Sequence, residues 1–479
     1  MAEEKNDEKK SPFGYDRENG WKSISEDESA KIESYAKDYI AFLSRAKTER
    51  EAHDIILDGF KGDKYRNIDD VNDSTALKAG DRIYRSCQGR TLFCARIGKR
   101  PISEGLNIIG GHIDSPRLDL KQSPLYEDGE LALFDTHYYG GIKKYQWVAI
   151  PLALHGVIVK RDGSKAFVTI GEADDDPVLT ITDLLPHLGK EQAKKTMEEG
   201  IAGEGLNILV GSRLLAGFDG KNKIKENILK IFHDRYGVIE EDFQSADLEV
   251  VPAGKARECG IDRSMILGYG QDDRIASYAA YRALLDLDKT PQYTAVALFC
   301  DKEEIGSSGA TGIASTFFEN TVALLVHKLA KEPNDIIRRR ALERSWMLSA
   351  DVGALHDPNY PDVSAPNGNM AAMNNGVVIE KFTGSRGKSG ASEASAEFVA
   401  DIRRVFTDAG VLWQCSELGK VDAGGGGTIA LFLARYGMNV LDCGPGLLSM
   451  HAPWEVSSKL DAYMTWKAYS AFYETKIAR

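Results

Sequence analysis

From Ala253 to its end the chain alternates strand and helix patterns, and nothing else in the sequence constrains the fold as tightly. DDRIASYAAYRALLDL reads as a helix, YTAVALFC as a strand, SWMLSADVGA as a strand, ASEASAEFVADIRRVFTDAG as a helix and MNVLDCG as a strand. SSKLDAYMTWKAYSAFYETK closes the series as an amphipathic helix. Strands joined through helices run parallel and need cover on both faces. The expected fold is therefore α/β, with a mostly parallel central sheet and helices on both sides. Between residues 118 and 251 the character differs. ELALFDTHYYGG, WVAIPLALHGVIVK and KAFVTIG are short alternating runs suited to antiparallel strands. A polar stretch at 189–205 and a helical pattern at 223–236 follow them. Helical periodicity also runs through 27–60, with Ile32, Tyr35, Ala36, Tyr39 and Leu43 on one face. The simplest organisation is one domain built from residues 1–117 and 254–479, interrupted by a β-rich insertion at 118–253.

Composition excludes some functions. A formal net charge of -12 with no block of basic residues argues against nucleic acid as a partner. The opening MAEEKNDEKKSP lacks the apolar core of a signal peptide. The best apolar run, at 148–159, is too short to span a bilayer and contains Pro151 and His155, so no membrane partner is expected. Cys87, Cys94, Cys259, Cys300, Cys415 and Cys443 form no CxxC pair and sit in apolar surroundings, which suits reduced thiols in a cytoplasmic protein.

The chemistry gathers where strands end. ALFCDKEEIGSSGATG leaves an apolar run with two adjacent carboxylates, Glu303 and Glu304, a costly pair unless something positive is near. GGHIDS offers His112 and Asp114, YGQDDRIAS offers Asp272 and Asp273, SADVGALHDPNY offers Asp351 and LLSMHAPWE offers His451. Singly each has a plain alternative: a structural histidine, a helix cap at Asp272, a turn residue at Asp351, a solvated charged turn at Glu303–Glu304. Jointly, two histidines and several carboxylates at the strand ends of one α/β domain suit a pair of divalent ions, zinc above all. Asp114 can accept the second ring N–H of His112 and orient it. Glu304 can bind metal while Glu303 faces a water as general base.

GGHIDSPRLDLK, QDDRIASYAA, DKEEIGSSGATG, DVGALHDPNYPD, DAGGGGTIA and LSMHAPWE occur in this order, and together they resemble the aspartyl aminopeptidase and aminopeptidase I family of two-zinc metallopeptidases. The resemblance covers residues 108–473. It implies that His112 and Asp351 bind one zinc, Glu304 and His451 the other, and that Asp272 bridges them. It also implies Glu303 as general base and Asp114 as the orienting residue. Cobalt or manganese are possible substitute metals. LLPHLGKEQ resembles a family segment whose histidine reaches a neighbouring subunit, so His187 is expected to steady the oxyanion in trans. Peptide substrates, dimers built through the insertion and a dodecameric homo-oligomer are implied in the same way. In acid-preferring members a basic residue closes the substrate pocket, and in KFTGSRGKSGASEA both Arg386 and Lys388 are candidates. HDPNY carries one residue more than the usual HPNY, and IKKYQ replaces a more acidic stretch, so acidic and neutral or hydrophobic N-terminal residues both remain open.

Three other readings are weaker. A deacylase or carboxypeptidase on the same scaffold does not explain LLPHLGKEQ. A nucleotide-binding loop at DAGGGGTIA lacks the Lys-Ser/Thr ending, and its glycines were better suited to tight packing near His451. A non-enzymatic scaffold would have lost ligand positions.

Overall fold

The computed structural model describes residues 13–477 apart from 16, 73 and 74; the polar opening at 1–12 lies outside the described residues. Leu106–His112 and Thr294–Cys300 are buried at every position. A strand can bury both sets of side chains only in the middle of a sheet covered on both sides. They lie side by side and parallel near the centre of a nine-stranded sheet. Its order is Arg66–Asn67, Arg82–Cys87, Thr91–Arg96, Thr294–Cys300, Leu106–His112, Trp346–Ser349, Asn439–Gly444, Val377–Glu380 and Trp413–Cys415. Alternate residues enter different cores. Cys94, Ile109, Ala297 and Leu348 pack with the helices Glu26–Leu43, Glu49–Gly62, Gln271–Leu285 and Lys459–Tyr473. Phe93, Ile108, Leu298 and Met347 pack with Phe317–Leu329 and Asp335–Glu343.

The sheet is mixed rather than uniformly parallel. The four strands from Thr294–Cys300 to Asn439–Gly444 are mutually parallel. Thr91–Arg96 runs antiparallel to its neighbours on both sides, and Val377–Glu380 runs antiparallel to Asn439–Gly444. The cause at the first edge is the hairpin from Arg82–Cys87, whose turn is too short for a crossover. Two helix expectations also shift. Ser389–Glu393 is a strand, and the helix begins only at Ala396, where Ser395 accepts the Phe398 N–H as its cap. Lys459–Tyr473 is buried on most sides instead of being half solvated.

Residues 117–252 supply all six strands of a second, wholly antiparallel sheet, ordered Lys165–Ile170, Leu152–Val159, Ala246–Pro252, Arg117–Asp128, Leu131–Tyr139 and Ile208–Gly211. The helix Lys223–Tyr236 packs Ile224, Ile228 and Phe232 into that sheet's own core. No helix among the described residues is long and apolar enough to cross a membrane. The six cysteines are free.

Candidate metal centre

Because Cys300 pairs with His112 and Ser349 with Gly110, the parallel strands end at one edge, and the loops leaving them meet there. His112 is the last residue of its strand. Glu303 and Glu304 lie on a 3-10 turn, Glu303–Ile305, entered through Lys302 at φ 71° and left through Gly306 at φ 90°. Asp272 sits near the start of its helix with non-helical φ -78° and ψ 109°, and the Asp272–Asp273 peptide is cis. Asp272 does not cap that helix with its side chain. Lys302, Ser449 and His451 all hold positive φ, which non-glycine side chains avoid unless their surroundings impose it; such residues gather at functional sites.

Asp272 stands between the two histidines. Its Oδ1 is 3.2 Å from His112 Nε2 and its Oδ2 is 3.1 Å from His451 Nε2. His451 Nε2 is also 3.6 Å from Glu304 Oε2. His112, Asp272 and Glu304 each place a ligand atom within 4.8 Å of the others. Both rings have their tautomer fixed from behind. His112 Nδ1 donates to the Asp114 carbonyl at 3.0 Å, and His451 Nδ1 donates to the Gly141 carbonyl at 2.9 Å. In the neutral rings the Nε2 lone pairs then face carboxylate oxygens, an arrangement that needs a cation or a proton between them. Asp272 Oδ1 and Glu304 Oε1 are buried and accept no hydrogen bond. Imidazole nitrogens and carboxylate oxygens are what zinc takes, so the residues fit that metal.

The electrostatics agree. Burial opposes charge on the histidines, yet Asp114 and Asp272 hold His112 well above its usual value, and Asp272 with Glu304 lifts His451 to about 10. Burial, opposed first by His112 and aided by Asp114 and Asp272, raises Glu303 to about 7. Burial and Asp272 push Glu304 up as well.

Asp351 follows the strand Trp346–Ser349, and its Oδ1 accepts the Val352 N–H at 2.8 Å. No hydrogen bond or ion pair joins it to His112 among the described residues, although Asp273, His112, Glu303 and Asp272 all act on its charge. The Asp114 carboxylate has another task besides lying 3.4 Å from His112 Nδ1. Its Oδ1 accepts the Glu303 N–H at 3.1 Å and its Oδ2 the Glu304 N–H at 3.2 Å, so it anchors the glutamate turn. His187, Arg386 and Lys388 are exposed and stand outside the cluster. The glycine run at 424–427 does not pack near His451. A Cβ at Gly424 would meet the Leu418 carbonyl at 1.8 Å, and Gly425 has φ 104° against the Gly384 carbonyl, so the run lies against the hairpin at 382–393.

Supporting residues other than Asp273 escaped the sequence reading. Glu455, 1% exposed, accepts the N–H groups of Gln271 at 2.6 Å and Asp272 at 3.3 Å with one oxygen, and that of His451 at 2.9 Å with the other. One buried side chain thus ties Asp272 to the second histidine. Asp273 accepts the His112 N–H at 3.2 Å, and a Cβ at Gly111 would stand 2.6 Å from that oxygen, which explains a glycine before the histidine. Tyr139, from the second sheet, donates to Asp114 at 2.8 Å. The only written signal for Tyr139 and Gly141 was the YYGG run; Glu455 gave no signal beyond lying four residues after His451.

Residues 42–473 match the family model described as aminopeptidase I zinc metalloprotease (M18). The chain belongs to the M18 aminopeptidase family. A probable M18 family aminopeptidase 1 of Clostridium acetobutylicum is 51% identical over 455 residues, 95% of this chain and 97% of that protein. The crystal structure of an M18 aminopeptidase from Thermotoga maritima superimposes with TM-score 0.91 at 42% identity, covering 96% of this chain and 100% of that one. The mApe1 dodecamer of S. cerevisiae, 22% identical with TM-score 0.75 over 92% of this chain and 97% of its own, shares the M18 fold.

Proposed function

We propose that this M18 chain is a two-zinc aminopeptidase that removes N-terminal residues from peptides. One observation carries the reading: each oxygen of Asp272 faces the Nε2 of a different histidine whose Nδ1 is already committed to a carbonyl. A carboxylate held that way has the disposition of a bridge between two cations. In this reading His112 and Asp351 would hold one zinc, Glu304 and His451 the other, with Asp272 shared between them. Cobalt or manganese can substitute, since the donor set is not exclusive to zinc.

When bound, the ions supply Lewis acidity that lowers the pKa of water towards neutrality. Glu303 takes a proton from the attacking water and delivers it to the leaving amine. A carboxylate so placed can both take and return a proton. Asp114 keeps it in place by holding its backbone N–H and that of Glu304. His187, exposed on the part of the chain that carries the second sheet, serves a neighbouring subunit's site by steadying the oxyanion in trans. That role accords with residues 1–117 and 254–479 as the catalytic domain, 118–253 as a dimerisation insertion, and a dodecamer like that of the yeast relative. The compartment is the cytoplasm.

The test is Glu303→Gln. Turnover of aminoacyl amides should fall by about 10²- to 10⁴-fold while zinc content stays at two ions per chain, and chelation should abolish wild-type activity. Wild-type turnover that survives complete chelation would end the reading.

A further inference from the structure

Beside the metal cluster the large sheet carries an acidic pair that the mechanism does not use. Glu380 ends the strand Val377–Glu380 and lies directly opposite Asp442 in an antiparallel pairing. Like charges so placed destabilise a sheet. Asp442 is 5% exposed, and Glu380 Oε1 and Asp442 Oδ1 accept no hydrogen bond. The groups that act on Glu380 are Asp442 and Glu417, both acidic. A buried acidic pair with no cation is costly unless something positive enters.

Space adjoins the pair on the Glu380 side. Glu380 and Asp442 line, with Asp351, Gly353 and Thr428, a pocket of about 10 Å3, the size of a single water. Glu380 also lines an adjoining pocket of about 270 Å3, walled by Phe382, Leu418 and the glycines at 424–426. Glu380 lines both, and Asp351, a proposed zinc ligand, lines the smaller one. No third histidine, cysteine or carboxylate joins the pair in a metal-sized grouping among the described residues. Among the described residues, the one grouping of three metal-ligating atoms within 4.8 Å is His112, Asp272 and Glu304.

From this we propose that Glu380, backed by Asp442, closes the pocket for the substrate's N-terminal side chain and selects a cationic one, lysine or arginine. The inference rests on the aminopeptidase reading. Phe382 and Leu418 would flank the methylene stem, and the head group would meet Glu380 Oε1, with Asp442 behind it. An aspartate or glutamate side chain would meet like charge instead. Burial raises Glu380 to about 8 and Asp442 to about 6, so near neutrality a proton occupies the place that an ammonium or guanidinium would take. Lys420 also lines the outer pocket but is exposed, and Arg386 and Lys388 line a different, open pocket with Ser385 and Ser389.

The experiment compares kcat/KM of the zinc-loaded full chain on lysyl, norleucyl and aspartyl coumarin amides, for wild type and Glu380→Gln. Norleucine keeps the stem of lysine and lacks its charge. The wild type should favour lysyl over norleucyl by about 10- to 100-fold, with aspartyl slowest. In Glu380→Gln the lysyl-to-norleucyl ratio should fall towards one. Equal wild-type rates on lysyl and norleucyl, or a preference for aspartyl, overturn the proposal. So does an equal loss on both in the variant, which would assign Glu380 to the substrate's α-ammonium. If no amide is cleaved, the aminopeptidase reading fails separately. Calorimetric binding of lysinamide against norleucinamide then decides the pocket without turnover: tighter lysinamide by the same factor supports it, and equal binding overturns it.

Discussion

At the scale of single residues, the site depends on side chains that would touch no metal. Glu455 fixes Asp272 and His451 through three backbone N–H groups, and burial with Asp272 nearby raises it to about 8. Glu455→Gln would turn one of its acceptors into a donor facing those N–H groups. Zinc affinity should drop by about 10- to 100-fold with the fold retained, read by competition with a zinc chelator and by circular dichroism. Unchanged affinity would reduce Glu455 to a packing residue. Gly111→Ala should likewise lower zinc affinity, because the new methyl displaces Asp273 from the His112 N–H. The proposed ligands stand out in the sequence because histidine, aspartate and glutamate at strand ends are rare enough in combination. Glu455 was not, since one glutamate in a loop has no pattern to mark it.

At the scale of elements, the break between the first two helices shows how local chemistry sets a boundary that periodicity misses. The pattern through 27–60 is continuous, yet the helices are Glu26–Leu43 and Glu49–Gly62. Thr48 starts the second with a capping box: its hydroxyl accepts the Glu51 N–H at 3.2 Å, and Glu51 Oε2 accepts the Thr48 N–H at 3.0 Å. Thr48→Ala should cost about 1 kcal/mol in urea unfolding, and a change below the error of the fit would mean that Glu51 alone holds the cap. The strand Ser389–Glu393 is the converse case. Its small polar residues carried no strong strand pattern, and pairing with Phe382–Ser385 settled it.

At the scale of the whole molecule, the two sheets are joined by a buried charged contact. His155, on a strand of the second sheet, lies 2.8 Å from Glu51 Oε1 and 3.2 Å from Glu172 Oε1, while Lys47 donates to the Pro252 and Gly254 carbonyls. Burial opposes the His155 charge, but Glu172 and Glu51 hold its pKa above the usual value. Its contribution to stability is therefore complete below about pH 6.5, the unfolded value, and is lost as pH rises through the folded one. Glu51 is lowered, against burial, chiefly by His155, so its part is present above about pH 4.3 and lost in acid. The melting temperature of His155→Gln should fall further below wild type at pH 6 than at pH 9; an equal gap at both would dismiss the linkage. Taken by itself, the sequence determined the alternation of strands and helices, the antiparallel run at 118–251, and which residue types could hold metal. These follow from local periodicity and side-chain chemistry. The tertiary structure alone decided that the sheet is mixed at its edges, that the second sheet delivers Tyr139 and Gly141 to the metal cluster, and that Glu380 faces Asp442. Each of these is a meeting of residues far apart in the chain, set by strand pairing and burial that no local pattern encodes.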